Sequence, residues 1–345
     1  MKKIFIILAV ILFLSGVVYF VFFHSFSENQ YNNLMCYYIS RQVTKNSKDF
    51  ESKVSVLRDF VNENVHPVTG YDTTDDGSSI MTLLSGVGWC DSQARAFMQL
   101  ASRVGIAARL LFLNMESRSS PHSVAEALAP DNRWIIVDPY FKLELINKEG
   151  KFASQGDIKS DPGIIINNPR IKLSAAYDPK WSDPKFIAIY YNPPEYVVYK
   201  RGKTLFLLDS IPIEYFRPIF RIMQDRALIR LNQNRKSVYE CDFIEARGLQ
   251  FLNYYNEAER IYDKIIKNSD DSSLVQRTEF YKAVLLKDKG MLHEADKYID
   301  KLLNNGNGSQ YRPYLSGLKA RILEKLGRSE EADDVLRGAE YSLQI

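Results

Sequence analysis

Cysteine and histidine are scarce: 3 and 4 in a chain of 345 residues. So few cysteines exclude a disulfide framework. An oxidising compartment could join Cys36 to Cys241 and leave Cys90 free. No Cys/His cluster has metal-ligand spacing, so neither a metal nor a cofactor is expected. Net charge is also small, at +3. No basic stripe with interleaved aromatics stands out, which argues against a nucleic-acid partner. Long apolar runs are absent with one exception. Lys2 and Lys3 precede an uncharged run over 4–23. Its length matches a bilayer crossing, whereas a secretory signal has a shorter apolar region of ~7–15 residues. Residues 1–27 are therefore expected to be a single-pass membrane anchor, with a cleaved signal as the alternative. The two lysines favour an N-terminus inside, leaving the bulk of the chain extracytoplasmic.

The remaining chain is organised around Gly86-Val87-Gly88-Trp89-Cys90-Asp91-Ser92-Gln93-Ala94-Arg95-Ala96-Phe97. A glycine-rich loop delivers Cys90 to the first turn of a helix whose Phe97, Met98, Ala101 and Val104 recur at helical spacing. Gly105 marks its end. A thiol at a helix N-terminus is favoured as thiolate, more so beside an imidazole. The stretch 106–113 reads as a buried strand. His122 opens a second strand, and Arg133-Trp134-Ile135-Ile136-Val137-Asp138 a third. Alternation puts Trp134, Ile136 and Asp138 on one face. Neighbouring strands would set His122 beside Asp138, facing the helix of Cys90. A thiol needs a base, and the base needs an acceptor that fixes its tautomer.

Gly88-Trp89-Cys90, the Ala-rich helix, Arg103-Val104-Gly105-Ile106-Ala107-Ala108-Arg109, Pro121-His122 and Trp134-Ile135-Ile136-Val137-Asp138-Pro139 together resemble the transglutaminase-like superfamily. The resemblance covers about 50–142. It implies a papain-like Cys-His-Asp triad and acyl transfer or hydrolysis on amides. Cys90 would be the nucleophile, His122 the base and Asp138 the orienter. The Cys90 backbone N–H would be one oxyanion donor, with Tyr71 and Trp89 as candidates for the second. Trp89 stands where many members carry a polar residue, and Ser123 where alanine is common. Both blur the substrate assignment.

Blander readings exist for each residue. A cysteine at a helix start is often a small buried hydrophobe, and Asp138 before Pro139 suits a turn. His66 is a rival base, though it sits with Pro67 at the end of a helix over 50–65. Asp72, Thr74, Asp76 and Gly77 resemble a calcium loop, but Leu83 stands where its bidentate glutamate belongs.

The flanks complete the organisation. Residues 28–47 are polar and read as a stalk. The transglutaminase-like domain is assigned 48–235. Within it, runs at 164–166, 186–191, 197–199 and 204–208 read as extra strands. Tyr190, Tyr191, Tyr196 and Tyr199 could line a cleft, although aromatic strand residues are more often simply packed, and 211–232 reads as a helical connector. From 236 to 345 a 37-residue period relates Ala258, Ala295 and Ala332, then Ala246, Ala283 and Ala320, then Leu249, Leu286 and Leu323. Small residues let paired helices approach while leucines fill between them. This resembles tetratricopeptide repeats, without their ~34-residue period and closing proline, and His293 falls at a turn inside it. The expected fold is an α+β papain-like core, a helix packed on an antiparallel sheet, followed by an all-α repeat domain. The expected function is an exported cysteine acyl-transfer enzyme with a peptide or protein substrate and a protein partner on the repeats. The alternative is a non-catalytic envelope assembly protein.

Overall fold

The computed structural model describes residues 28–67, 79–113, 122–171, 188–190, 195–197, 217–218, 221, 237–304 and 310–342. The apolar run 4–23, Tyr71, the turn at 72–77, Tyr191, Tyr199, the run 204–208 and nearly all of the connector at 211–232 lie outside these residues. Among the described residues no helix is long and apolar enough to cross a membrane.

The expected stalk is instead a helix, α1, over Glu28–Thr44. Met35, Cys36, Tyr38 and Ile39 are buried in the main core. Its polar residues bond inward: Ser40 Oγ donates to Leu100 O at 2.9 Å, and Arg103 to Asn33 Oδ1 at 2.5 Å. The overall polarity hid a seam of tyrosines and aliphatics around a full turn. The next helix, α2 (Phe50–Asn64), follows the sequence closely. Asp49 caps it, and Val54, Leu57 and Val61 face the core.

Helix α3 (Ser79–Ser85) leads into the glycine loop, and α4 runs over Cys90–Arg103. Ala94, Phe97, Leu100 and Ala101 of α4 are fully buried. Three strands follow, β1 (Ala108–Leu113), β2 (His122–Leu128) and β3 (Trp134–Val137), and a short β4 (Glu195–Val197) joins later. The sheet order is β3-β2-β1-β4, antiparallel throughout. Leu110, Ala125, Ala127, Ile135 and Val137 share the core of α4, while Leu111, Val124 and Ile136 belong to a smaller core. Neither 164–166 nor 188–190, the described part of the second run, is a strand. Pro162 starts a short helix α5 (Gly163–Ile166), and a 3-10 turn covers Ala188–Tyr190. Their apolar side chains fill the small core in compact turns rather than extending the sheet.

The C-terminal part is three helix pairs: α6 (Val238–Phe251) with α7 (Tyr255–Asn268), α8 (Ser272–Asp288) with α9 (Leu292–Asn304), and α10 (Arg312–Lys325) with α11 (Ser329–Ser342). The period reappears in the turns. Asn253, Gly290 and Gly327 all take left-handed backbone. The following N–H groups, of Tyr254, Met291 and Arg328, donate back to Leu249, Leu286 and Leu323. This is one helix-ending hydrogen-bond pattern used three times.

These helices do not form a separate body. One core cluster runs from α1 through α4 into α10. Arg247, fully buried on α6, donates to Asn64 Oδ1 at 2.9 Å and to Leu83 O at 3.3 Å. Glu63 receives Lys287 at 3.3 Å and Arg321 at 3.4 Å. These cations pull its carboxyl down to about 2 although burial alone would raise it. The inner helices α6, α8 and α10 thus bind the first half of the same chain.

Candidate active site

The loop before Cys90 is fixed by backbone pairing. His66 N–H donates to Gly86 O at 3.0 Å, and Gly88 N–H to His66 O at 3.1 Å. Gln93 adds its amide, donating to Val65 O at 3.1 Å and Gly88 O at 3.4 Å. The chain turns at Gly86 with φ +70°, a conformation costly for any other residue. Cys90 then becomes the first residue of α4, which no side chain caps. Its first-turn N–H groups therefore point toward whatever anion lies at the helix end.

The other two candidates meet it from the sheet. His122 begins β2 and Asp138 directly follows β3. The register Ala125↔Val137 makes them diagonal neighbours on one face. His122 Nε2 lies 2.7 Å from Asp138 Oδ2. That leaves Nδ1 for the Cys90 thiol, which hydrogen-bonds the imidazole and also receives the Ser123 N–H. One detail differs from expectation. His122 shares its strand face with Val124 of the smaller core, so the pair does not face the buried stripe of α4. Cys90 reaches it at the start of β2, from the first turn of its helix.

Asp138 has more partners than the sequence indicated. Its Oδ2 also accepts the Tyr190 hydroxyl at 2.7 Å, and Oδ1 accepts the Phe141 N–H at 3.1 Å. The turn role and the orienting role are therefore both filled, one by each oxygen. Asn62 of α2 secures that turn by donating to Pro139 O and Tyr140 O at 2.9 and 3.0 Å. Phe141, Tyr140 and Tyr190 surround the imidazole with centroids at 5.0, 5.6 and 6.0 Å. From the sequence, Tyr190 is only an aromatic that lines a cleft or packs on a strand. No local pattern marks a partner 52 residues from Asp138.

The charges follow from this geometry. Burial opposes ionisation of all three groups, but each has a partner that reverses the effect. The Asp138 carboxylate and the thiol together raise His122 to about 9. The imidazole's hydrogen bond and charge hold the Cys90 thiol below its usual range. His122 does the same for Asp138, with Tyr190 and Phe141 adding to it. Each shift runs in the direction that favours a thiolate beside an imidazolium, backed by a carboxylate. His122 and Asp138 are buried, and Cys90 is half-buried, the most exposed of the three.

The other candidates are elsewhere. Trp89 precedes the thiol with its side chain 43% exposed. None of Cys36, Cys90 and Cys241 is in a disulfide. Among the described residues no cluster of His, Cys, Asp and Glu could hold a metal ion. His66 is buried among Phe280, Tyr281, Tyr311 and Tyr314, with ring centroids at 4.9, 6.2, 6.5 and 4.3 Å. Burial first, and then Arg321 and Arg247, lower it to about 3. It is a neutral structural imidazole, away from the triad.

His66 also makes stability depend on pH. Its folded value lies below the unfolded one, so it costs nothing above about pH 6.5. As pH falls toward 3 the unfolded chain gains a proton the native chain refuses, costing about 1.4 kcal/mol per unit. His66→Asn keeps a donor for the Glu63 carbonyl and removes the titration. Its melting temperature should fall less between pH 6.5 and 5 than that of the wild type. Equal slopes would contradict a neutral buried His66.

Residues 37–139 match the transglutaminase-like superfamily model, a span that holds Cys90, His122 and Asp138. It begins inside α1. No curated protein matches the chain. A solved structure described provisionally as a cysteine protease from Cytophaga hutchinsonii is 23% identical over 38% of this chain, with a TM-score of 0.29. The chain spans 45% of that protein's length.

Proposed function

We propose that this transglutaminase-like domain is a cysteine enzyme that transfers acyl groups from peptide or glutamine-type amides through a thioester. The observation that carries the reading is the linked chain Cys90–His122–Asp138, with a lowered thiol at the more exposed end. The Cys90 sulfur attacks the carbonyl carbon, and the oxygen takes the negative charge. The Cys90 backbone N–H, at the uncapped start of α4, faces that charge as one oxyanion donor. The tetrahedral adduct collapses, the C–N bond breaks, and His122 protonates the departing amine. His122 then activates water or an acceptor amine, which attacks the thioester and frees the sulfur. Water gives hydrolysis and an amine gives transamidation.

The setting is proposed with it. The run over 4–23 anchors the protein in a membrane with the rest extracytoplasmic. The three helix pairs are tetratricopeptide-like. Their inner helices are taken up by the enzyme's own core, so a partner protein would meet the outer helices α7, α9 and α11.

Alkylation tests the reading without a known substrate. Iodoacetamide should label Cys90 at pH 6, well below the free-thiol range, with the labelled peptide identified by mass spectrometry. In His122→Ala the labelling profile should move up toward pH ~8.5. Identical profiles in the two proteins would mean that thiol and imidazole are not coupled. The non-catalytic assembly protein would then be the better reading.

A further inference from the structure

The turn that precedes the nucleophile is held from outside its own domain. Leu83, Ser85 and Gly86 each present a backbone carbonyl to the C-terminal helices. Arg247 of α6 donates to Leu83 O at 3.3 Å, and Arg277 of α8 to Ser85 O at 3.4 Å. Tyr281, also on α8, shares its hydroxyl proton between Gly86 O at 2.8 Å and Asn64 O at 2.9 Å. Those two carbonyls flank the His66–Val87 bridge that carries the loop onward to Cys90. Tyr281 is fully buried and wedged between His66 and Phe243. A β-carbon at Gly86 would collide with its hydroxyl and ring, so this tyrosine needs glycine at that position.

We infer that Tyr281 is a positioning residue for the nucleophile: through Gly86 it fixes the loop that presents Cys90 to His122. The inference rests on the proposed triad. Gly86 lies four residues upstream of Cys90, and the intervening backbone is pinned at Gly88. A shift of the Gly86 carbonyl therefore travels along a short, stiff segment to the sulfur. The burial of the hydroxyl raises its own ionisation to about 12, so it stays a donor throughout the working range. The C-terminal helices thereby belong to the active site, although none of their residues is near the sulfur in sequence.

The test uses the full chain and iodoacetamide labelling of Cys90 against pH. Tyr281→Phe keeps the ring and removes the donor. It should shift half-labelling upward by about one pH unit, a roughly tenfold slower reaction at pH 6. In a His122→Ala background Tyr281→Phe should change nothing further, because the loop then has no imidazole to meet. Lys287→Ala, which loosens the same interface at Glu63, should lower the melting temperature and leave the profile in place. Arg277→Gln probes the same turn through Ser85 and should also shift the profile, so the question survives if Tyr281→Phe does not fold. A Tyr281→Phe profile matching the wild type, with His122→Ala still shifted, overturns the positioning role alone. A wild-type profile matching His122→Ala overturns the triad itself, and the inference with it.

Discussion

Cys90→Ser is expected to stop acyl transfer and to leave the fold intact. The change is nearly isosteric at a half-buried position that is not a member of the buried core clusters. What disappears is the anion. The imidazolium stabilises a thiolate, whose free acid is already within reach of neutral pH, but an alkoxide lies far above it. A loss of about 10⁴-fold or more in kcat is expected, and His122→Ala should cost nearly as much, because nucleophile and base act as a unit and their losses do not add. The measurement is amine release from a panel of glutamine and peptide amides, with the thioester trapped on Cys90 in the wild type. Undiminished turnover in Cys90→Ser would remove the proposed chemistry.

Asp138→Asn belongs to the same prediction but for a structural reason. Asparagine can orient a catalytic imidazole in papain-like enzymes. Here both oxygens of Asp138 accept hydrogen bonds, Oδ2 from His122 and Tyr190 and Oδ1 from Phe141. An amide has one acceptor oxygen, so either orientation sets its NH₂ against a donor. The variant should lose about 10²-fold or more in kcat and also some stability. Tyr190→Phe, which removes one donor only, should do less of both.

The site was legible where chemistry is local. Cys90, His122 and Asp138 announce themselves through a glycine loop, a strand start and an Asp-Pro turn, and strand alternation placed His122 and Asp138 on one face. The sequence misled where burial depends on partners far along the chain. The helix α1 looked like a stalk because its apolar residues are spread among polar ones that also bond inward. Tyr190 and Tyr281 could not be seen as members of the site, since each acts through a single hydroxyl on a residue many positions away. The 37-residue period corresponds to three helix pairs. Its Ala and Leu positions pack helix against helix within the module. Of the residues that grip the first half of the chain, Arg247 and Arg321 stand two periods apart, directly after Ala246 and Ala320, while Arg277 and Tyr281 have no counterpart at the period. The period thus describes packing among the helix pairs, while the grip on the first half of the chain rests on single side chains.

Ending the chain at residue 236 is accordingly expected to unfold what remains, and the fragment from 237 onward is expected not to melt cooperatively by itself. Phe243, Phe280, Tyr281 and Tyr311 are essentially fully buried. The last three close over His66, and Phe243 packs against Tyr281. Burying a large apolar side chain is worth about 1.5–3 kcal/mol, while a whole domain is stable by only about 5–15 kcal/mol. Four such residues thus approach the entire margin. The cut also strips partners from polar groups on both sides. The carbonyls of Asn64, Leu83, Ser85 and Gly86 lose their donors. Arg247 loses Asn64 and Glu63 loses Lys287 and Arg321. Water can resolvate these groups once exposed, but only by admitting solvent beside the nucleophile loop. Circular dichroism melts of 1–236 and 237–345 against the whole chain decide the matter. If the second fragment is fully helical with a sharp transition, the helix pairs are a self-sufficient unit and their grip on the loop is dispensable for their folding. If both fragments melt without cooperativity and mixing them restores the transition, the two parts share one core, and the nucleophile loop has no stable conformation without the C-terminal helices.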